Sequence, residues 1–93
     1  MNVIAFKTLQ AFAAECPDAE ASLAAWYKHV RAAEYRSFAD VKADFGSADW
    51  VEGFIVFNIG GNKYRLIVSP NFTYKTFFVK HILTHRQYDN WEP

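Results

Sequence analysis

The hydrophobic period of this chain changes once, near residue 53, and that change restricts the fold more than any other feature. Before it, apolar residues recur at helical spacing. Leu23, Trp26, Tyr27, Val30 and Ala33 repeat at three and four, which specifies an amphipathic helix running to about Glu34. Phe6, Leu9, Ala13 and Cys16 follow the same rule and place an earlier helix over residues 6–16. Pro17 ends it, and Pro17-Asp18 suits the start of the next. Phe38, Val41 and Phe45 mark a short third helix over 38–45, with Ser37 and Asp40 at the spacing of a capping box. Residues 1–5 are either an edge strand or the lead-in to the first helix. Residues 46–53 are expected to be loop.

After the change, the composition is that of strands. Residues 54–59 form the first, and Gly60-Gly61-Asn62 supplies a hairpin turn in which positive φ costs glycine little. Residues 63–69 return, and Pro70-Asn71 is expected to break the strand. Residues 76–83 give a third strand, and 84–91 close with a short turn or helix. The reading is one α+β domain over 1–93, with N-terminal helices packed on one face of a small antiparallel sheet. The chain is 52% hydrophobic and 18% aromatic, enough for a core at this length. No apolar run is long enough to span a bilayer, and no basic-then-apolar leader suggests secretion. The single cysteine, Cys16, has no internal disulfide partner, which fits a reducing cytoplasm. It is read as a small hydrophobe at a helix end.

Net charge is zero, but its distribution is not even. Residues 1–52 hold five Lys/Arg and eight Asp/Glu; residues 53–93 hold five and two. From Gly53 to Tyr88 every charged side chain is basic: Lys63, Arg65, Lys75, Lys80 and Arg86. Such a segment attracts polyanions whatever the total. Strand alternation puts Tyr64, Leu66 and Val68 on a core face and Lys63, Arg65, Ile67 and Ser69 on the other. In the third strand it groups Thr76, Phe78, Lys80 and Ile82 against Phe77, Val79, His81 and Leu83. Lys80 is expected to share the face of Arg65, and His81 to face inward or pack at an edge. Asn58 is left unoriented.

The chain leaves this face through Thr84-His85-Arg86-Gln87-Tyr88. Those residue types suit RNA cleavage without a cofactor. Arginine holds phosphate oxygens bidentately, histidine exchanges protons near neutrality, and tyrosine stacks on a base or donates a proton. A solvated strand face and a rim aromatic are the structural alternatives. His29, His81 and His85 lack zinc-ligand spacing, and no metal site is expected. His29 is read as a surface residue.

The string Val56-Phe57-Asn58-Ile59-Gly60-Gly61-Asn62-Lys63-Tyr64-Arg65-Leu66-Ile67 resembles the signature of HigB-type toxins. So does Val79-Lys80-His81-Ile82-Leu83-Thr84-His85-Arg86-Gln87-Tyr88-Asp89, and Phe6-Lys7-Thr8-Leu9 leading to Cys16-Pro17 is similar to that family's first helix. The resemblance implies a RelE-like fold and an mRNA endonuclease, acting on messages under translation at the ribosome. It implies a helix-turn-helix antitoxin (HigA-like) as partner, with operator DNA reached only through that antitoxin, and no membrane partner. By motif position Arg65 would stabilise phosphate and His85 would transfer a proton. Tyr88 and Arg86 would bind phosphate or stack on a base, and Lys63, Lys80 and Asn58 would contact RNA. A gyrase poison on the same scaffold, or a plain RNA-binding module, is the alternative. The neutral total charge departs from the usual basic character of such nucleases. The chain also leaves little tail beyond Tyr88 to contribute to a site.

Overall fold

The computed structural model describes residues 1–5 and 8–93. The elements run β1 (Asn2–Ile4), α1 (Thr8–Glu15), a single 3-10 turn (Pro17–Ala19), α2 (Glu20–Ala32), α3 (Phe38–Asp44), β2 (Asp49–Val51), β3 (Phe54–Ile59), β4 (Tyr64–Asn71), β5 (Thr76–Thr84) and α4 (His85–Asp89). The expected participation of Phe6 and Lys7 in the first helix lies outside the described residues. Pro17 opens the 3-10 turn and leads into α2, whose Leu23, Trp26 and Val30 are buried. Acidic Glu20 in its first turn and Arg31 in its last complement the helix dipole.

The sheet has five strands in the order β1-β5-β4-β3-β2. It is mixed rather than purely antiparallel. The N-terminal run is an edge strand, and β1 lies parallel to β5, pairing Asn2 with Thr76 and Ile4 with Phe78. The segment expected to be loop contains β2, which forms a hairpin with β3. Its turn is Glu52-Gly53, both with positive φ (48° and 90°), as a two-residue hairpin turn requires. Glutamate rarely opens such a turn, which is why the hairpin is inconspicuous in the sequence. Gly60 and Gly61 are also left-handed, at φ 63° and 71°, and form the expected turn between β3 and β4.

Pro70 does not end β4, which continues to Asn71. Pairing with β3 stops at Ile55–Val68, so at Pro70 the strand has a neighbour on one side alone and tolerates a missing N–H. The capping box expected at Ser37 is also absent: Asp40 instead accepts from the backbone N–H of Arg36 at 2.9 Å.

One face of the sheet carries the helices and the core. Phe57 packs edge-on against Trp26 and Phe45, at 5.4 and 5.0 Å between ring centroids. Leu66, Val68, Phe77, Val79 and Ile82 complete this layer from β4 and β5. Phe77, Val79 and Ile82 cannot share a face in a regular strand. A bulge solves this: Val68 pairs with Val79 but Ile67 pairs with His81, so Lys80 is an extra residue. The alternation expected from sequence therefore inverts after Val79. Ile82 turns into the core, while His81 and Leu83 turn to the opposite face, where His81 is exposed.

Candidate functional site

The second face of the sheet carries Phe54, Val56 and Asn58 from β3, Arg65 and Ile67 from β4, and His81 and Leu83 from β5. No long helix covers it. Its cover is the C-terminal segment, and the geometry of that segment follows from local chemistry. Thr84 caps α4 with a full capping box: its hydroxyl accepts from the Gln87 N–H at 3.1 Å, and the Gln87 side chain accepts from the Thr84 N–H at 2.9 Å. The His85 N–H donates to the Lys63 carbonyl at 3.0 Å, tying the start of α4 to the β3–β4 turn. Because Leu83 pairs with Arg65 and Thr84 with Tyr64, His85 leaves the sheet opposite Lys63, two positions along the strand from Arg65.

Arg65 is nine-tenths buried, at 9% exposure. Its guanidinium donates to the Asn62 side-chain oxygen at 2.7 Å and to the carbonyls of Asn62 and Tyr64 at 3.3 and 3.2 Å. All three acceptors are neutral. No carboxylate pairs with Arg65 among the described residues, so a full positive charge is held in place without an internal counter-ion. The Tyr88 ring lies 5.7 Å from its central carbon, a cation–π distance. Tyr88 in turn stacks on Trp91 at 5.9 Å and 23°. The His85 Nδ1 faces the Asp89 carboxylate one helical turn on, across 3.4 Å, with both side chains about half exposed.

The structure thus brings Arg65 and Tyr88 together, with Asn58 opposite Arg65 in the β3–β4 register and His85 at the start of the helix that carries Tyr88. Arg86 is exposed on α4. Lys80 is exposed at the bulge, its ammonium 5.8 Å from the Phe78 ring.

Lys63 does not join the face expected of it. It sits in the turn and reaches toward the helix layer, where its ammonium pairs with Asp18 at 3.2 Å. The Tyr64 hydroxyl donates to the same carboxylate at 2.7 Å, and together these bonds hold Asp18 below the usual carboxylate range. The same contact raises the Tyr64 phenol, with burial adding to the shift. Attraction to an acid 45 residues away in sequence decides the direction of Lys63. His29, as expected, is a surface residue, 2.7 Å from Asp44.

Sequence reasoning passed over two residues. Asn62 was a turn residue by composition, yet it anchors Arg65. Trp91 lay in the closing segment, yet it packs on Tyr88, Phe54 and His81. An arginine three residues after an asparagine in a glycine turn was the available signal for Asn62; Trp91 had none beyond being aromatic.

Residues 19–91 match the HigB toxin family, described as the RelE-like toxic component of a toxin–antitoxin system. The chain belongs to this family. The match takes in β2 to β5, α4 and Trp91, and so the whole of the open face. Among relatives of the HigB family, this chain is 28% identical over 92 residues to "mRNA interferase HigB" of Escherichia coli O6:H1, covering 96% of this chain and 89% of that protein. It is 27% identical to "mRNA interferase toxin HigB" of Escherichia coli K12, covering 96% and 88%. The "mRNA interferase HigB" of Shigella flexneri is also 27% identical over 92 residues, covering 96% and 88%.

Proposed function

We propose that this HigB-family toxin is an mRNA interferase whose catalytic face is built on Arg65, His85 and Tyr88. The observation that carries the reading is the guanidinium of Arg65, buried, immobilised by neutral acceptors and lacking a carboxylate partner among the described residues. A site of this kind is prepared for an anion that arrives from outside. The relatives are named mRNA interferases, and the backbone phosphates of mRNA are anions of this kind.

The chemistry follows. The 2′-OH of one nucleotide attacks its own 3′-phosphorus, and the bond to the 5′ oxygen of the next nucleotide breaks. The products are a 2′,3′-cyclic phosphate and a free 5′-OH. Negative charge gathers on the non-bridging oxygens as the phosphorus becomes five-coordinate, and Arg65 is placed to hold them. His85 exchanges the proton, through Nε2 if Asp89 engages Nδ1. Tyr88, beside Arg65, is placed to donate to the leaving oxygen or to stack on a base. A proton acceptor, a proton donor and a fixed cation suffice for this reaction, so the mechanism needs no metal. Arg86, Lys80 and Asn58 would contact the backbone on either side. Lys63 adds field only, because Asp18 already engages its charge.

The same reading places the protein in the cytoplasm, on messages under translation at the ribosome, under the control of a HigA-like helix-turn-helix antitoxin that carries the pair to operator DNA. Among the described residues no helix is long and apolar enough to cross a membrane. Induced expression followed by mapping of 5′ ends in cellular mRNA tests the proposal. Wild type should create new 5′-hydroxyl ends. His85→Ala and Arg65→Ala should each lower cleavage by roughly a hundredfold or more while far-UV circular dichroism stays native. Wild-type cleavage by His85→Ala would sink the mechanism. Intact messages with induced DNA damage would point to a gyrase poison, and salt-sensitive RNA binding without cleavage to a binding module.

A further inference from the structure

Trp91 occupies an unusual place. It lies on the sheet face opposite the core, half-buried, with Tyr88 stacked on it, Phe54 edge-on at 5.6 Å and His81 at 6.3 Å. Beneath this cluster are Val56 and Ile67, 2% and 0% exposed. Covering two aliphatic side chains requires only an apolar group, and leucine would serve. Four rings of mixed orientation beside an uncompensated guanidinium are more than a cover needs. The order across the face is Arg65, Tyr88, Trp91, each within about one ring stack of the next. A nucleotide has the same order, a phosphate and then a flat base one sugar away. Single-stranded RNA is commonly held in this way, by a cation on the backbone and aromatic rings under splayed bases.

We propose that Trp91 is the floor of a nucleobase subsite, with His81 at its rim, that takes an unstacked base adjoining the phosphate bound by Arg65. The proposal rests on the nuclease reading above, because Arg65 marks where the phosphate lies. It assigns the exposed edge of Trp91 to substrate rather than to the fold alone.

Intrinsic fluorescence tests it directly. Trp26 is buried at 4% exposure and supplies a constant background, and Trp50→Phe removes the exposed third indole. Trp50→Phe protein is titrated with short single-stranded 2′-O-methyl RNA, which lacks the attacking hydroxyl. The expected result is saturable quenching of Trp91. By anisotropy of labelled RNA, Trp91→Leu should bind about tenfold or more weakly, and Trp91→Phe within about threefold of wild type. A positioning role for Trp91 through Tyr88 would also spare Trp91→Phe, but would give no quenching. Binding without quenching, or Trp91→Leu binding like wild type, overturns the subsite. If Trp91→Leu melts below the assay temperature, the quenching of Trp50→Phe protein decides alone. Wild-type protein that binds none of the RNA also overturns it, and cleavage of translated messages run in parallel separates the two failures. Retained cleavage condemns the subsite only; lost cleavage condemns the nuclease reading.

Discussion

The two faces of one sheet are built from the same strands to opposite ends. The helix-covered face carries the core: Ile55, Phe57, Ile59, Leu66, Val68, Phe77 and Val79 are buried there with at most 4% exposure each. The open face places an arginine beside an aromatic ring and, among the described residues, gives it no acid. Asp18, brought to the same end of the sheet, engages Lys63 and Tyr64 instead, and Asp89 faces His85. Burying an unpaired charge costs stability, and a face selected for stability alone would have paired it or replaced it. The contrast supports the proposal that one side serves the fold and the other a ligand.

Substitutions that act on one face only will sharpen this contrast, and crossed effects will break it. The largest effect is expected from Phe57→Ala, which deletes a ring that packs on Trp26, Phe45 and Phe77. It should cost about 3–5 kcal/mol in urea melts. RNA affinity of whatever fraction stays folded should be unchanged. Next is Asn62→Ala, which removes the 2.7 Å acceptor of the Arg65 guanidinium. Message cleavage should fall about tenfold, by the worth of one hydrogen bond to a charged group. A drop in melting temperature without loss of cleavage would mean that Asn62 serves only its turn.

The smallest effect is expected from Asp18→Asn, and its signature is pH dependence. Asp18 is held below its ordinary value of 3.8 by Tyr64 and Lys63. Its contribution to stability is therefore present above that value and lost as pH falls through the lower, folded-state value. Thermal melts should show Asp18→Asn less stable than wild type at neutral pH, with the gap closing only below the ordinary carboxylate range. A gap independent of pH would mean that the carboxylate charge plays no part.

Much of this was legible in the sequence because it is local. The period change at residue 53, the glycine turn at 60–61 and the apolar spacing of α2 each depend on neighbours within a turn or two. Arg65, His85 and Tyr88 stood out because a one-sign charge run ends in an imidazole and a phenol. What stayed hidden is non-local or leaves no composition. The parallel β1–β5 pair joins residues from opposite ends of the chain, and three residues carry too little pattern to announce it. A bulge is a change in count, not in residue type, so nothing at Lys80 signals that His81 turns outward. The partner of Lys63 lies in another element altogether.

The β1–β5 pairing bears on when this toxin becomes active in its own synthesis. β1 precedes every other element described, yet its one sheet neighbour is β5, and α4 follows β5 directly. The helical half can form as it emerges, whereas the sheet can close only once β5 has been made. His85, Tyr88 and Trp91 come later still, just after β5. A chain cut before β5 therefore holds neither the finished scaffold nor the side chains proposed to react.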